Sequence, residues 1–200
     1  MSQSIIYRNR RLYRLAMNLL YRGSYAERFR QVCSLIRKSD ETILELCFGD
    51  VAVAEYCRQN GKRWIGMDAS DAFVKHALKS GFDACKADLL RLDVLPNSSV
   101  CIMMGSLYHF EAQLPSLFLR IKGASARLIL SEPVRNWTHA SGLLRCLAKL
   151  LTRTDAQAET FRFTEASLTR ALDDLKNGVG FDYRVVSVAR DMIVEVVWLN

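Results

Sequence analysis

Apolar positions recur along this chain in two rhythms, and the change between them divides it. Up to residue 37 they return every three or four positions, as on one face of a helix. Tyr7, Leu12, Leu15, Ala16, Leu19 and Leu20 form one such stripe, which predicts a helix over 5–22 stopped near Gly23. Ser24 can cap a second helix reaching about Arg37, with Phe29, Val32, Cys33 and Ile36 on one face. From residue 42 short, nearly continuous apolar runs take over. Thr42–Leu46, Arg63–Met67, Ala84–Ala87, Ser99–Met104 and Ala126–Leu130 read as strands, and the strongest are apolar enough for burial on both faces. Helical patterns over Val51–Gln59, 70–79 and Leu114–Ile121 lie between them.

That alternation predicts an α/β architecture, a doubly wound and mostly parallel sheet covered on both faces. Residues 134–163 interrupt it with a helical pattern around Ala140–Leu151 and a polar loop over Thr152–Thr160. Thr164 caps a further helix, Glu165–Lys176. Tyr183–Val188 and Met192–Trp198, joined by Ala189-Arg190-Asp191, predict a closing antiparallel hairpin and thus a seven-stranded sheet. The expected organisation is a basic helical cap over 1–40 and an α/β domain over 41–200, with 134–163 as an insertion or lid.

Composition narrows the class. Half of the 200 residues are apolar and 24% are charged, which excludes a disordered chain. The longest nearly apolar stretch, Val100 to Phe110, is far short of the roughly 20 residues of a membrane-spanning helix. The opening MSQSIIYRNRRLYR places arginines where a secretory signal needs its apolar centre, which predicts a cytoplasmic protein. Six cysteines show neither a C-x-x-C pair nor zinc-ligand spacing, so they read as reduced thiols and no metal is expected. Residues 1–40 hold nine Arg/Lys and two acids, whereas the rest of the chain is neutral. The net charge of +7 therefore belongs to the first 40 residues, which either dock as a capping helix or meet an anionic partner such as a lipid surface.

Candidate chemistry gathers at successive strand ends, along the edge where open α/β sheets bind ligands. Glu45-Leu46-Cys47-Phe48-Gly49-Asp50 lies between the first strand and its helix. Asp68 ends the second strand, nineteen residues beyond Gly49, where a carboxylate can accept two hydrogen bonds from a ribose. Asp88 and Leu89 follow the third strand and offer one polar and one apolar group to a nucleobase. Gly105-Ser106-Leu107-Tyr108-His109-Phe110 follows the fourth, where the reacting end of a ligand would lie.

ILELCFGDVAVAEYC, GMDAS, ADLLRLDVLPNSSVCIMMGSLYHF and ARLILSEP, taken in this order, resemble the motifs of class I S-adenosylmethionine-dependent methyltransferases over residues 25–200. The resemblance implies S-adenosylmethionine as methyl donor, contacted by Glu45, Cys47, Gly49, Asp68, Ala69, Asp88, Leu89, Gly105 and Ser106. It departs from the usual alternating glycines at Cys47 and Val51, and from the usual acid at the start of the fourth strand at Val100. Methyl transfer from a sulfonium needs alignment, exclusion of water and, for a hydroxyl acceptor, a base. His109 is the candidate base, and Tyr108, Arg135, Trp137 and His139 are candidate acceptor contacts. The acceptor implied is small or carrier-bound. Two other readings stay open: a non-catalytic binding module of the same fold, and a nucleic-acid methyltransferase, which Gly-Ser-Leu-Tyr in place of a base-holding turn disfavours.

Overall fold

The computed structural model describes residues 25–135 and 161–199. Seven strands form one sheet: β1 (Thr42–Leu46), β2 (Arg63–Asp68), β3 (Asp83–Lys86), β4 (Val100–Met104), β5 (Arg127–Pro133), β6 (Phe181–Val188) and β7 (Asp191–Trp198). Their spatial order is β3-β2-β1-β4-β5-β7-β6. All neighbours run parallel except β7, which is antiparallel to both β5 and β6. The order reverses between β1 and β4, which opens a crevice at their carboxyl ends.

Alternate strand residues supply two separate cores, as a sheet buried on both faces requires. Ile43, Trp64, Val100, Ile102 and Ile129 face α1 (Tyr25–Ser34), α2 (Ala52–Gln59) and α3 (Asp71–Lys79). Leu44, Leu46, Met67, Cys101, Met103, Leu128 and Leu130 face α4 (Leu114–Ala124) and α5 (Glu165–Val179). α1 is thus docked on the sheet through Tyr25, Phe29, Val32 and Cys33. α5 begins at a capping box: Thr164 Oγ1 accepts from the Ser167 amide at 3.1 Å and Ser167 Oγ accepts from the Thr164 amide at 2.8 Å.

Several boundaries differ from the sequence expectation, two of them because of strand pairing that the local pattern cannot show. β5 does not stop at Leu130 but continues through Ser131, Glu132 and Pro133, which pair with Ile193, Met192 and Asp191. β6 starts at Phe181 rather than Tyr183, opposite Trp198. The segment after β4 is a 3₁₀ turn, Leu107–Gln113, leading into α4. No described helix is long and apolar enough to cross a membrane.

At the amino end of β5 a buried ion network ties the hairpin to the sheet. Arg127 meets the Asp40 carboxylate and, at 2.8 Å, that of Glu195, which also takes Arg37 at 2.8 Å and Arg184 at 2.6 Å.

Candidate methyl-donor site

The bend after β1 carries the first group of residues. Cys47 adopts φ +54°, a left-handed conformation that costs a side-chain-bearing residue roughly 1 kcal/mol. Its amide donates to the Met67 carbonyl at 2.7 Å, which fixes the bend against the end of β2. Gly49 follows at φ +58° and donates its amide to Asp68 Oδ2 at 3.1 Å. Asp68 Oδ1 accepts from the Ser70 amide at 2.7 Å. The nineteen-residue spacing read from the sequence is therefore a direct contact: the carboxylate of the second strand anchors the backbone of the first bend. Each carboxylate oxygen has a second lone pair, so Asp68 keeps acceptor capacity for a ligand. Burial pushes its pKa up, while the amides of Ser70 and Gly49 and the charge of nearby His109 pull it back.

Glu45 is fully buried one residue before the strand ends. The Trp64 indole donates to Glu45 Oε2 at 2.8 Å, reaching it by lying over Gly66, the residue paired with Glu45 across the strands. A Cβ at position 66 would lie 2.0 Å from the ring, so only glycine lets the indole take this path. Glu45 Oε1 has no hydrogen-bond partner among the described residues, and burial pushes this carboxyl well above its ordinary pKa. The Cys47 thiol, pushed up to about 12 mainly by burial, sits beside Ser106 and within the field of Asp68 and Glu132. The ends of β1, β2, β4 and β5 thus meet at one place.

Beyond β4, Gly105 (φ +64°) and buried Ser106 lead into the 3₁₀ turn. Glu132, at the end of β5, accepts from the Leu107 amide at 3.0 Å and also from that of Tyr108, which fixes the turn bearing His109. His109 is exposed, its ring 4.0 Å from that of Tyr108, and the Arg162 guanidinium lies 3.5 Å over the Tyr108 ring. Asp88 and Ala69 are exposed, while Leu89 is buried in the core with Leu95. Arg135 is exposed and pairs loosely with Glu165 at 3.9 Å. Trp137 and His139 lie outside the described residues. An open concavity of about 600 Å³ lies on α5, lined by Glu165, Ala166, Thr169, Arg170 and Asp173, away from the β1 bend.

Arg28 escaped the sequence reading. It reaches from α1 to the strand ends, where Nε lies 2.7 Å from the Asp191 carboxylate and Nη2 donates to the Ser131 carbonyl at 3.2 Å. A Cβ on Gly105 would come within 2.5 Å of its Nη2, so glycine there makes room for the guanidinium as well as the positive φ. The available signal was a charge inside an apolar stripe, since 25, 28, 29 and 32 share one helical face.

Burial pushes Glu132 up to about 8, against the opposing pull of the Leu107 amide and Arg28. The folded state therefore holds this proton more tightly than the unfolded chain. Its contribution is complete below the ordinary carboxyl value of 4.5 and is lost as pH rises toward about 8. Wild-type stability should fall across that window relative to Glu132→Gln, which keeps an acceptor for Leu107 and does not titrate. Urea titrations at several pH values check this, and parallel pH curves would refute it.

No family model matches the sequence, and no curated protein matches it. Solved structures do. The chain is similar to human N-acetylserotonin methyltransferase in complex with SAM, at 18% identity and TM-score 0.63, covering 96% of this chain. It spans only 57% of the length of that enzyme. Magnesium protoporphyrin IX methyltransferase from Synechocystis PCC 6803 with bound SAH is 16% identical at TM-score 0.61, with 92% of this chain and 86% of the other covered. The plantazolicin methyltransferase BpumL, in complex with a monoazolic desmethylPZN analog and SAH, is 11% identical at TM-score 0.71, with 94% and 90% covered. Strand order, the antiparallel closing hairpin and these likenesses agree: the chain has the Rossmann-like fold of the class I S-adenosylmethionine-dependent methyltransferases.

Proposed function

We propose that this chain is a cytoplasmic S-adenosylmethionine-dependent methyltransferase acting on a small or carrier-bound organic acceptor. The observation that carries the reading is the Gly49 amide held on the Asp68 carboxylate at the β1/β4 reversal, beside a buried carboxyl oxygen of Glu45 that has no partner among the described residues. Acceptor oxygens around a backbone bend suit a ligand with sugar hydroxyls and a positive charge. The structural likenesses, several to enzymes crystallised with SAM or SAH, support the same ligand.

When bound, the donor supplies a methyl group on a positively charged sulfur, already activated for displacement. Asp68 accepts from the ribose hydroxyls, and Ala69 passes beside them. Glu45 and the backbone at Cys47 and Gly49 hold the amino-acid portion, while Asp88 and Leu89 flank the nucleobase. Gly105 and Ser106 line the floor toward the acceptor. His109 would take the proton from an acceptor hydroxyl held at the donor's methyl group. Tyr108 and Arg135 sit on the acceptor side, and the sequence adds Trp137 and His139 there.

Calorimetry on the full chain with S-adenosylhomocysteine tests the donor half. Heat with saturation at micromolar ligand is expected, and a folded sample that gives none at millimolar ligand overturns the reading.

A further inference from the structure

We propose that Arg120 is a positioning residue for the nucleobase end of the donor site, acting through Asp88. The inference rests on the donor reading above, but the arrangement it uses is independent of the β1 bend.

Arg120 is half-buried on α4, on the far side of the segment that follows β3. Its Nη1 donates to the Leu89 carbonyl at 2.5 Å and to the Leu92 carbonyl, and its Nε donates to Ser116 O within its own helix at 3.2 Å. One guanidinium therefore fastens a loop without regular structure to a rigid element at two successive points. The peptide joining residues 89 and 90 is planar and trans, so fixing its carbonyl also fixes the direction of its N–H. That N–H, on Leu90, donates to Asp88 Oδ1 at 3.1 Å. Cation, peptide and carboxylate form one chain, in which each bond polarises the next.

The consequence concerns direction. Asp88 is exposed, and an exposed carboxylate ordinarily samples several rotamers. Here the Leu90 amide holds one oxygen and Arg91 lies 3.4 Å from the other, all three residues being exposed. The Arg91 amide closes the turn onto the Asp88 carbonyl at 3.0 Å. Leu89 meanwhile is anchored in the core, 4% exposed. A carboxylate so oriented is ready to accept from an exocyclic amine, and it disfavours a base that presents a carbonyl in the same place. Arg120 thereby contributes to the choice of adenine over hypoxanthine without touching the base.

The test uses the full-length chain, wild type, Arg120→Ala, Asp88→Ala and the double variant, titrated calorimetrically with S-adenosylhomocysteine and with S-inosylhomocysteine. Wild type should prefer the adenine ligand by about tenfold or more, the worth of one hydrogen bond to a charged acceptor. Arg120→Ala should lose most of that preference by weakening the adenine ligand alone. The double variant should lose no more than Asp88→Ala does, because both substitutions break one chain. An intact preference in Arg120→Ala, with or without a lowered melting temperature, makes Arg120 a plain structural brace and overturns the proposal. Additive losses, or no preference in wild type, also overturn it while leaving the donor reading in place. Wild type that binds neither ligand overturns both.

Discussion

Replacing Arg28 by Met should lower the unfolding free energy by about 3–5 kcal/mol, the usual cost of removing one partner of a buried ion pair. The pair is well inside the protein: the side chains of Arg28 and Asp191 are each 6% exposed and 2.7 Å apart. Without the guanidinium, Asp191 keeps a hydrogen bond from Ser131 Oγ at 3.0 Å but loses its countercharge. Glu45 and Glu132 lose a nearby cation too, since Arg28 draws both pKa values down. Asp191 would then stand uncompensated beside two carboxyls that burial already holds toward the neutral form, and the local structure must protonate it, admit water or open. Urea denaturation at neutral pH measures the loss. The double variant Arg28→Met/Asp191→Asn should recover a substantial part of it, because the uncompensated charge is gone. A single variant as stable as wild type would show that the ion pair does not hold α1 to the strand ends.

Asp68→Ala should weaken S-adenosylhomocysteine binding by roughly 10- to 100-fold, the loss of about 1.5–3 kcal/mol of hydrogen bonding to a charged acceptor. The structure adds a second effect. The amides of Gly49 and Ser70 lose their acceptor in a region where Asp68 is only 9% exposed. Each buried orphan donor costs about 1–3 kcal/mol, so melting should fall as well. Asp68→Asn separates the two effects. Its amide oxygen can serve one backbone donor, while its NH₂ faces the other, so part of the stability returns and ribose recognition stays impaired. Calorimetry well below the melting temperature of each variant decides the matter. Unchanged affinity in a folded Asp68→Ala protein removes this carboxylate from the ligand site.

Most of the framework is legible without coordinates. Strands such as Val100–Met104 are apolar on both faces, so a hydrophobic run alone marks them as interior to a layered sheet. The placement of Asp68 and Gly49 is legible too, because strand and helix lengths make the interval between two strand ends nearly constant. The polar character of Ser131-Glu132-Pro133 misleads, since polar residues after an apolar run ordinarily signal a loop. Here they stay in the sheet, and Ser131 and Glu132 are buried, because β7 pairs with them, Arg28 donates to the Ser131 carbonyl and the Leu107 amide donates to Glu132 Oε2.

The one-dimensional pattern of burial thus determined the layers, the strand ends and the acids upon them. Periodicity is a local property, and every residue of a regular element reports on it. The tertiary structure alone decided which of those groups meet. Arg28 comes 103 residues from Ser131, and Arg120 comes 31 from Leu89. Such contacts depend on where whole elements pack, and side-chain reach across that packing leaves no periodic trace in the sequence.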